Sequence, residues 1–240
     1  MKYFTIQNIR LVLMFLILIG LFSFTSIRNS QRKIKKIEVE IIDNNMPFLK
    51  PEMVNKLLIE KNQDTKTIHK DDLDLNKLEK SVSKQQFVEK ADVFVTVDGV
   101  LKAVVKQKSP VGRVVAEDSS FYIDSEGNRM PVSENFAARV PLISGGIFNV
   151  DKEKFAEVLQ KINDDDFLKK NIISVQILPN GSLVMENRNY DYKIDFGRTI
   201  NIDKKFKNYK AFFQKAVNDS LLKNYKRINL KFTQQVVCIK

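Results

Sequence analysis

A run of seventeen uncharged, mostly apolar residues lies near the start of the chain, at 11–27 (LVLMFLILIGLFSFTSI). As an α-helix it would be about 26 Å long at about 1.5 Å per residue, close to the thickness of a bilayer's hydrocarbon core. Phe22 and Phe24 stand where a signal peptide would carry small residues before its cleavage site. The sequence therefore predicts an uncleaved membrane anchor, with a removable signal peptide as the alternative.

The formal net charge of +11 is concentrated beside this anchor. Residues 1–36 hold seven of the 40 basic side chains and no acid, which leaves 33 basic against 29 acidic residues, or +4, over 37–240. This balance does not predict a nucleic-acid-binding surface. The cluster Arg28–Lys36 instead predicts contact with anionic lipid headgroups, at about 1 kcal/mol per basic residue.

The orientation of the anchor is indicated by the charges on its two sides. Two basic residues precede it and five follow it closely, so the positive-inside rule favours a cytoplasmic position for the rest of the chain. The single cysteine, Cys238, cannot form an internal disulfide and therefore does not indicate a compartment.

Residues 37–110 have the pattern of a β-α-α-β-β domain. Apolar and acidic residues alternate at 37–41, which predicts a strand, and two amphipathic helices follow, one from Pro51 and one after Asp72. The Asp98-Gly99 pair between two β-rich runs predicts a hairpin.

Residues 111–240 predict a second, β-rich region, with Pro110 and Gly112 marking a hinge into it. Several short β-forming runs between turns indicate a meander of strands, with amphipathic helices at 151–162 and 203–218 on one side. The predicted fold class is α+β: one transmembrane helix, a β-α-α-β-β domain and a mixed β-rich domain with flanking helices.

The chain holds few residues that could perform catalysis. Its one histidine, His69, lies in a polar loop, and Cys238 lies in an apolar terminal strand, so a solvated side chain and a buried one are the favoured interpretations. Asp164-Asp165-Asp166 lacks the alternate spacing of a calcium loop and is favoured as a helix end. We therefore expect no enzyme activity, no metal and no cofactor.

The final segment, 225–240, is predicted to form strands at the end of a sheet. Such an edge leaves backbone groups unpaired and can accept a strand from a partner, with side chains giving specificity. A terminal strand capped by its own side chains is the alternative.

Three motifs are distinctive in combination. They are Phe121-Tyr122-Ile123-Asp124 with Gly127 and Met130-Pro131, then Val140–Gly145 (VPLISG), and last Ile228-Asn229-Leu230-Lys231-Phe232. The first two resemble the "YID..G..MP" and "VP...G" signature of the FtsQ/DivIB family of bacterial cell-division proteins. The third is similar to that family's terminal "VDLRY" strand, and Ser109–Val114 looks like its link between domains.

The resemblance implies a cytoplasmic tail at 1–10, a transmembrane helix at 11–27, a basic linker at 28–36, a POTRA domain at 37–110 and an FtsQ-type β domain at 111–240. It further implies a protein of the inner membrane, concentrated at the division septum, with its C-terminal domains in the periplasm. The charge bias beside the anchor favours the opposite orientation.

The implied function is a non-catalytic divisome scaffold. It would bind FtsB-like and FtsL-like bitopic proteins by strand addition, and through them act on the septal peptidoglycan synthase complex. The residues implied in partner binding are Tyr225, Asn229, Leu230, Lys231, Phe232 and Val236. Phe232 replaces the family's tyrosine and Asn229 its acid, so the polar details of pairing are expected to differ. A POTRA-type chaperone of envelope protein assembly is the alternative, which the second domain disfavours.

Overall fold

The computed structural model describes residues 6–30, 33–42, 46–59, 73–116, 119–134, 136–218 and 222–240. Their contacts divide into two compact units. One consists of Met1–Asn45 with Leu49–Gln107, and the other of Met46–Phe48 with Lys108–Lys240.

Helix α1, Ile6–Ser30, contains the predicted anchor and extends beyond it at both ends. Its stretch Asn8–Asn29 is long and apolar enough to cross a membrane, and none of that stretch is buried in the protein. Large side chains such as Leu16 and Phe22 are mostly exposed. Exposed apolar side chains are unfavourable in water, so α1 is a candidate membrane span.

The smaller unit confirms the predicted β-α-α-β-β order. Its elements are β1 (Lys36–Ile42), α2 (Pro51–Leu58), α3 (Leu75–Ser83), β2 (Val88–Val95) and β3 (Val100–Gln107). The sheet order is β1-β3-β2, with β1 parallel and β2 antiparallel to β3. The predicted hairpin turns at Gly99, whose φ of 85° is a conformation that glycine adopts without strain.

The helices of this unit close its core through their apolar faces. Val54 of α2 and Val82 of α3 are fully buried with Ala103 and Val105 of β3. Asp74 caps α3 by accepting a hydrogen bond from the backbone N–H of Lys77 at 3.0 Å. His69, and the Asp71-Asp72 pair expected to lead into this helix, lie outside the described residues.

The larger unit is built on one nine-stranded sheet. Its strands are β4 (Pro110–Val115), β5 (Ser120–Asp124), β6 (Arg129–Pro131), β7 (Leu142–Gly145), β8 (Ile172–Ile177), β9 (Leu183–Asn187), β10 (Lys193–Gly197), β11 (Arg227–Asn229) and β12 (Val237–Ile239). The helices are α4 (Lys152–Asp164), α5 (Asp166–Asn171) and α6 (Ile202–Asn218). The order across the sheet is β12-β11-β10-β9-β8-β7-β4-β5-β6.

This sheet is mixed rather than the meander that the sequence predicts. The pairs β4–β7, β7–β8 and β10–β11 are parallel. A parallel pair needs a crossover, and α4 with α5 supplies it between β7 and β8, as α6 does between β10 and β11. All three helices contribute to a single core with the strands.

The predicted hinge at Pro110 and Gly112 is a strand of this sheet. β4 lies between β7 and β5, with Val111 and Val114 buried. A Cβ added at Gly112 would overlap the side chains of Ile143 and Leu159. The glycine therefore allows close packing. Pro110 and Gly112 lie inside the larger unit, and the division between the two units falls just before them, between Gln107 and Lys108.

The triad of aspartates has a structural role at the start of α5, a helix that the sequence did not predict. Asp165 accepts hydrogen bonds from the backbone N–H groups of Phe167 and Leu168, each at 3.0 Å, and pairs with Lys210 of α6. Burial opposes ionisation of Asp165, but Lys210 and the helix N–H groups together lower its pKa. These contacts join α5 to α6. The predicted helix end is also found, because α4 ends at Asp164.

Candidate functional site

Strands β11 and β12 form one end of the nine-stranded sheet. β11 runs parallel to β10 in the register Ile194↔Ile228, and β12 runs antiparallel to β11 in the register Ile228↔Cys238. β12 is the last strand of the sheet order, so its outer side pairs with no other strand among the described residues. It is therefore an edge strand of the kind that can accept another strand.

The edge lies further along the chain than the family motif suggests. The sequence predicts the edge within residues 225–240, and the resemblance implies a terminal strand at 228–232; β11 ends at Asn229 and lies between β10 and β12. The edge strand itself is Val237–Ile239. Residues 230–236 connect the two strands and turn the chain back on itself.

β11 is held by the core beneath it. Ile228 is fully buried, and Leu230, just beyond the strand, is 1% exposed. The backbone N–H of Leu230 donates to the carbonyl oxygen of Asp195 at 2.9 Å, and that of Lys193 donates to Lys226 at 2.9 Å. These bonds extend the pairing of β10 with β11 beyond its three paired residues.

A bidentate ion pair fixes the two strands side by side. Arg227 of β11 donates to the carboxylate of Asp195 on β10, through its Nε at 2.9 Å and through a terminal nitrogen as well. The Asp195 side chain is almost fully buried, while that of Arg227 is half exposed. The hydrogen bond with Asp195 raises the pKa of Arg227, so the guanidinium is charged at every physiological pH.

The connection between β11 and β12 is shaped by local hydrogen bonds. Asn229 Oδ1 accepts from the backbone N–H of Lys231 at 2.9 Å, which is an Asx-type turn. The amide of Asn208 on α6 donates to the carbonyl of Thr233 at 3.1 Å. These contacts hold a connecting segment that has no secondary structure of its own.

Three apolar side chains are exposed at this edge. Phe232 is 52% exposed, Ile239 is 50% exposed and Val237 is 36% exposed. Cys238 points the other way, because it packs against the core, and burial raises the pKa of its thiol. The alternation along β12 thus leaves Val237 and Ile239 on the open face of the sheet.

The six residues implied in partner binding have different environments. Phe232 and Lys231 are exposed, Asn229 and Val236 are half-buried, and Leu230 is buried. Tyr225 is also half-buried, and its ring lies 5.8 Å from that of Phe212 on α6. Leu230 therefore belongs to the core, and only the other five have surface that a partner could reach.

Val237 and Ile239 are missing from that set although they lie on the edge strand itself. Their signal in the sequence is the apolar run 236–239, which predicts a strand. The resemblance implies a terminal strand at 228–232, so most of the residues implied in partner binding were taken from that motif. Two short apolar runs could form the edge strand of the sheet. Which of them does so depends on which one pairs with β10, a strand distant along the chain.

No cluster in the described part of the chain has the make-up of a metal centre. Among those residues, no group of three or more His, Cys, Asp and Glu side chains could hold an ion. His69 lies outside the described residues. The described edge itself offers the outer backbone groups of β12 and the exposed apolar side chains of Phe232, Val237 and Ile239.

The chain matches a known family over most of its larger unit. The sequence model of the family described as "FtsQ/DivIB, C-terminal related" matches residues 109–239, more than half of the chain and nearly all of the larger unit. The matched segment begins one residue before β4 and ends with the last residue of β12. No curated protein sequence gives a significant match.

Proposed function

Because the chain belongs to the FtsQ/DivIB C-terminal-related family, we propose that it is a non-catalytic scaffold of bacterial cell division that binds its partner by strand addition at β12. Membership of this family supports a role in cell division. The apolar, unburied helix α1 fits a single-pass membrane protein. The observation that carries the proposed binding mode is the edge strand β12 with its exposed Val237 and Ile239.

Strand addition would use two parts of this edge. Backbone groups on the outer side of β12 would bond to an extended segment of the partner, at about 0.5–1.5 kcal/mol net for each bond. Val237, Ile239 and Phe232 would contact apolar side chains of that segment. Because β12 has only three residues, its backbone bonds alone would be weak, and the apolar contacts supply affinity and specificity.

The proposed partners are FtsB-like and FtsL-like bitopic division proteins. A segment of the FtsB-like protein close to the membrane would add to β12. The complex of the FtsB-like protein with an FtsL-like protein would in turn control the septal peptidoglycan synthase. The β-α-α-β-β unit is proposed to be a POTRA module that assists recruitment. The support for this second part is its element order and its sheet order β1-β3-β2.

The proposed location is the inner membrane at the septum, with both units in the periplasm and the short N-terminus in the cytoplasm. The basic residues at 28–36 would then face the headgroups of anionic lipid on the outer side of that membrane. A phosphatase reporter fused after Lys240 tests this orientation. Activity is expected, and a reporter active only in the cytoplasm would contradict it.

Binding at β12 is tested with the full chain in lipid nanodiscs and a labelled peptide from the membrane-proximal region of the FtsB-like partner. Val237→Asp with Ile239→Asp should weaken binding at least about tenfold, because charges would replace the apolar contact surface. Val115→Asp is the matched control, since Val115 is 51% exposed on β4 of the same sheet. Equal binding by the double variant and the wild type would refute strand addition at β12.

A further inference from the structure

A groove of about 350 Å³ lies in the larger unit, near the end of the sheet opposite β12. Phe121 and Ile123 of β5 line it, and Arg129 of the outermost strand β6 does so too. Phe148, from the turn before α4, and Lys152 and Phe155, from the first turn of α4, complete its walls. Its volume is within the range of sites that take a bulky side chain or a small ligand.

The groove has an apolar floor and an exposed apolar rim. Ile123 and Phe155 are each 2% exposed and belong to the core, whereas Phe148 is 97% exposed. A phenylalanine left almost wholly in water is unfavourable by an amount close to its full burial energy, about 1.5–3 kcal/mol. An exposed aromatic ring beside an apolar recess is typical of a surface that is covered by a partner.

The charged side chains that line the groove are both cations. The Arg129 guanidinium lies 4.2 Å from the centroid of the Phe121 ring, which orients it along the wall. Lys152 Nζ donates to Asn128 Oδ1 at 2.6 Å. The Glu126 carboxylate nearby accepts from the Asn128 amide at 3.0 Å and is not part of the lining. The groove thus presents positive charge next to apolar surface.

We propose that this groove docks an acidic peptide segment of a partner protein. The segment inserts one large apolar side chain against Phe148 and Phe155 and places a carboxylate at Arg129 and Lys152. Charge complementarity selects the acidic partner, since an Arg or Lys next to a carboxylate adds both attraction and hydrogen bonds. The site is separate from β12 and does not depend on the function proposed for that edge.

Docking here uses side chains rather than strand addition. β6 is an edge strand of only three residues, and its Pro131 has no N–H to donate to another strand. A second copy of this chain is a less favourable occupant than an acidic segment, because its residues 37–240 also carry a net positive charge, +4 from 33 basic and 29 acidic residues. A bilayer surface is a less favourable occupant, because it would meet the exposed Phe148 ring but not the recessed floor of Ile123 and Phe155, which are each 2% exposed.

The test uses the full chain in neutral phosphatidylcholine nanodiscs and a display library of random twelve-residue peptides. Peptides retained by the wild type are sequenced, and the dissociation constants of the strongest binders are measured by fluorescence anisotropy. We expect Asp or Glu beside Phe, Leu, Ile or Met. Phe148→Ser and the pair Arg129→Glu with Lys152→Glu should each weaken binding at least about tenfold, the loss typical of a central interface residue.

Phe232→Ser is the matched control, because it also removes an exposed phenylalanine but lies by the β12 edge. It should leave the binding of the selected peptides unchanged, so failure at this groove and failure at β12 can be told apart. Selection of no peptide, or of peptides that bind the groove variants and the wild type equally, would overturn the proposal. So would self-association that Phe148→Ser abolishes. A further variant carries Phe148→Cys on a Cys238→Ser background, with a polarity-sensitive dye on the introduced thiol. A blue shift of the dye's emission in phosphatidylglycerol nanodiscs would overturn the proposal and assign the groove to lipid.

Discussion

Two neighbouring residues, Leu230 and Phe232, have opposite roles although both belong to the same motif. Leu230 is 1% exposed and packs in the core of the larger unit, while Phe232 is half exposed. Their different environments follow from the turn at Asn229 and Lys231, which changes the direction of the chain after β11. One residue therefore supports the edge and the other is available to a partner.

Leu230→Ala should lower the free energy of unfolding by about 2–5 kcal/mol, because it removes a buried side chain and leaves a cavity. Phe232→Ala should change it by no more than about 0.5 kcal/mol, as is usual for an exposed site. Chemical denaturation of the full chain in detergent, followed by circular dichroism, measures both. A larger loss for Phe232→Ala than for Leu230→Ala would contradict these assignments.

The Arg227–Asp195 pair is expected to stabilise the β10–β11 register. Arg227→Met leaves the buried Asp195 carboxylate without its guanidinium and should cost about 1–3 kcal/mol of unfolding free energy. The double variant Asp195→Asn with Arg227→Met should lose less unfolding free energy than the sum of the two single variants. The reason is that a neutral amide at 195 is less destabilised than a carboxylate by the absence of the guanidinium. Additive losses in this double-mutant cycle would show that the pair contributes little.

At the scale of the elements, strands β8, β9 and β10 share a polar cluster around Glu186. Its carboxylate on β9 accepts from Lys193 of β10 and from the hydroxyl of Ser174 on β8, the latter at 2.8 Å. The hydrogen bond from Lys193, followed by that from Ser174, lowers the pKa of Glu186 below its ordinary value of 4.5. The cluster thus joins three strands that lead towards the edge.

Because the folded-state pKa of Glu186 is lowered, its contribution to stability is fully present above about pH 4.5 and is lost as the pH falls through the lowered value. Glu186→Gln should therefore reduce the drop in unfolding temperature between pH 5 and pH 3. Glu134→Gln, at an exposed position, is the control. Thermal unfolding at each pH measures the effect, and an unchanged acid dependence in Glu186→Gln would show that the cluster is not formed.

Elements with strong local signals were predicted well from the sequence. α4 has an aspartate cap at Asp151 and apolar residues spaced along one face, and both are found in the structure. α5 was missed because a six-residue helix has little periodicity, and Asp165 looks like the end of α4 rather than a cap. The strand at Pro110 was taken as a hinge because proline and glycine usually mark turns, while here Gly112 serves close packing.

At the scale of the whole molecule, the β-α-α-β-β order of the smaller unit and the long apolar helix α1 could be predicted from the sequence. The arrangement of the larger sheet could not, because three parallel pairs join strands that are distant along the chain. The same limit explains why the sequence could place the edge only within residues 225–240, where β12 forms it. The groove beside Phe148 was missed for a related reason, since β5, β6 and α4 meet only in the folded unit.

The most direct measurement of the central claim is cell length in the native bacterium after depletion of this protein, with each variant supplied in its place. Wild type and Val115→Asp should restore normal division. Val237→Asp with Ile239→Asp should leave long filaments with segregated chromosomes, although the variant protein accumulates to the wild-type level. Normal cell length with the double variant, or no filaments after depletion, would contradict a division scaffold that acts through β12.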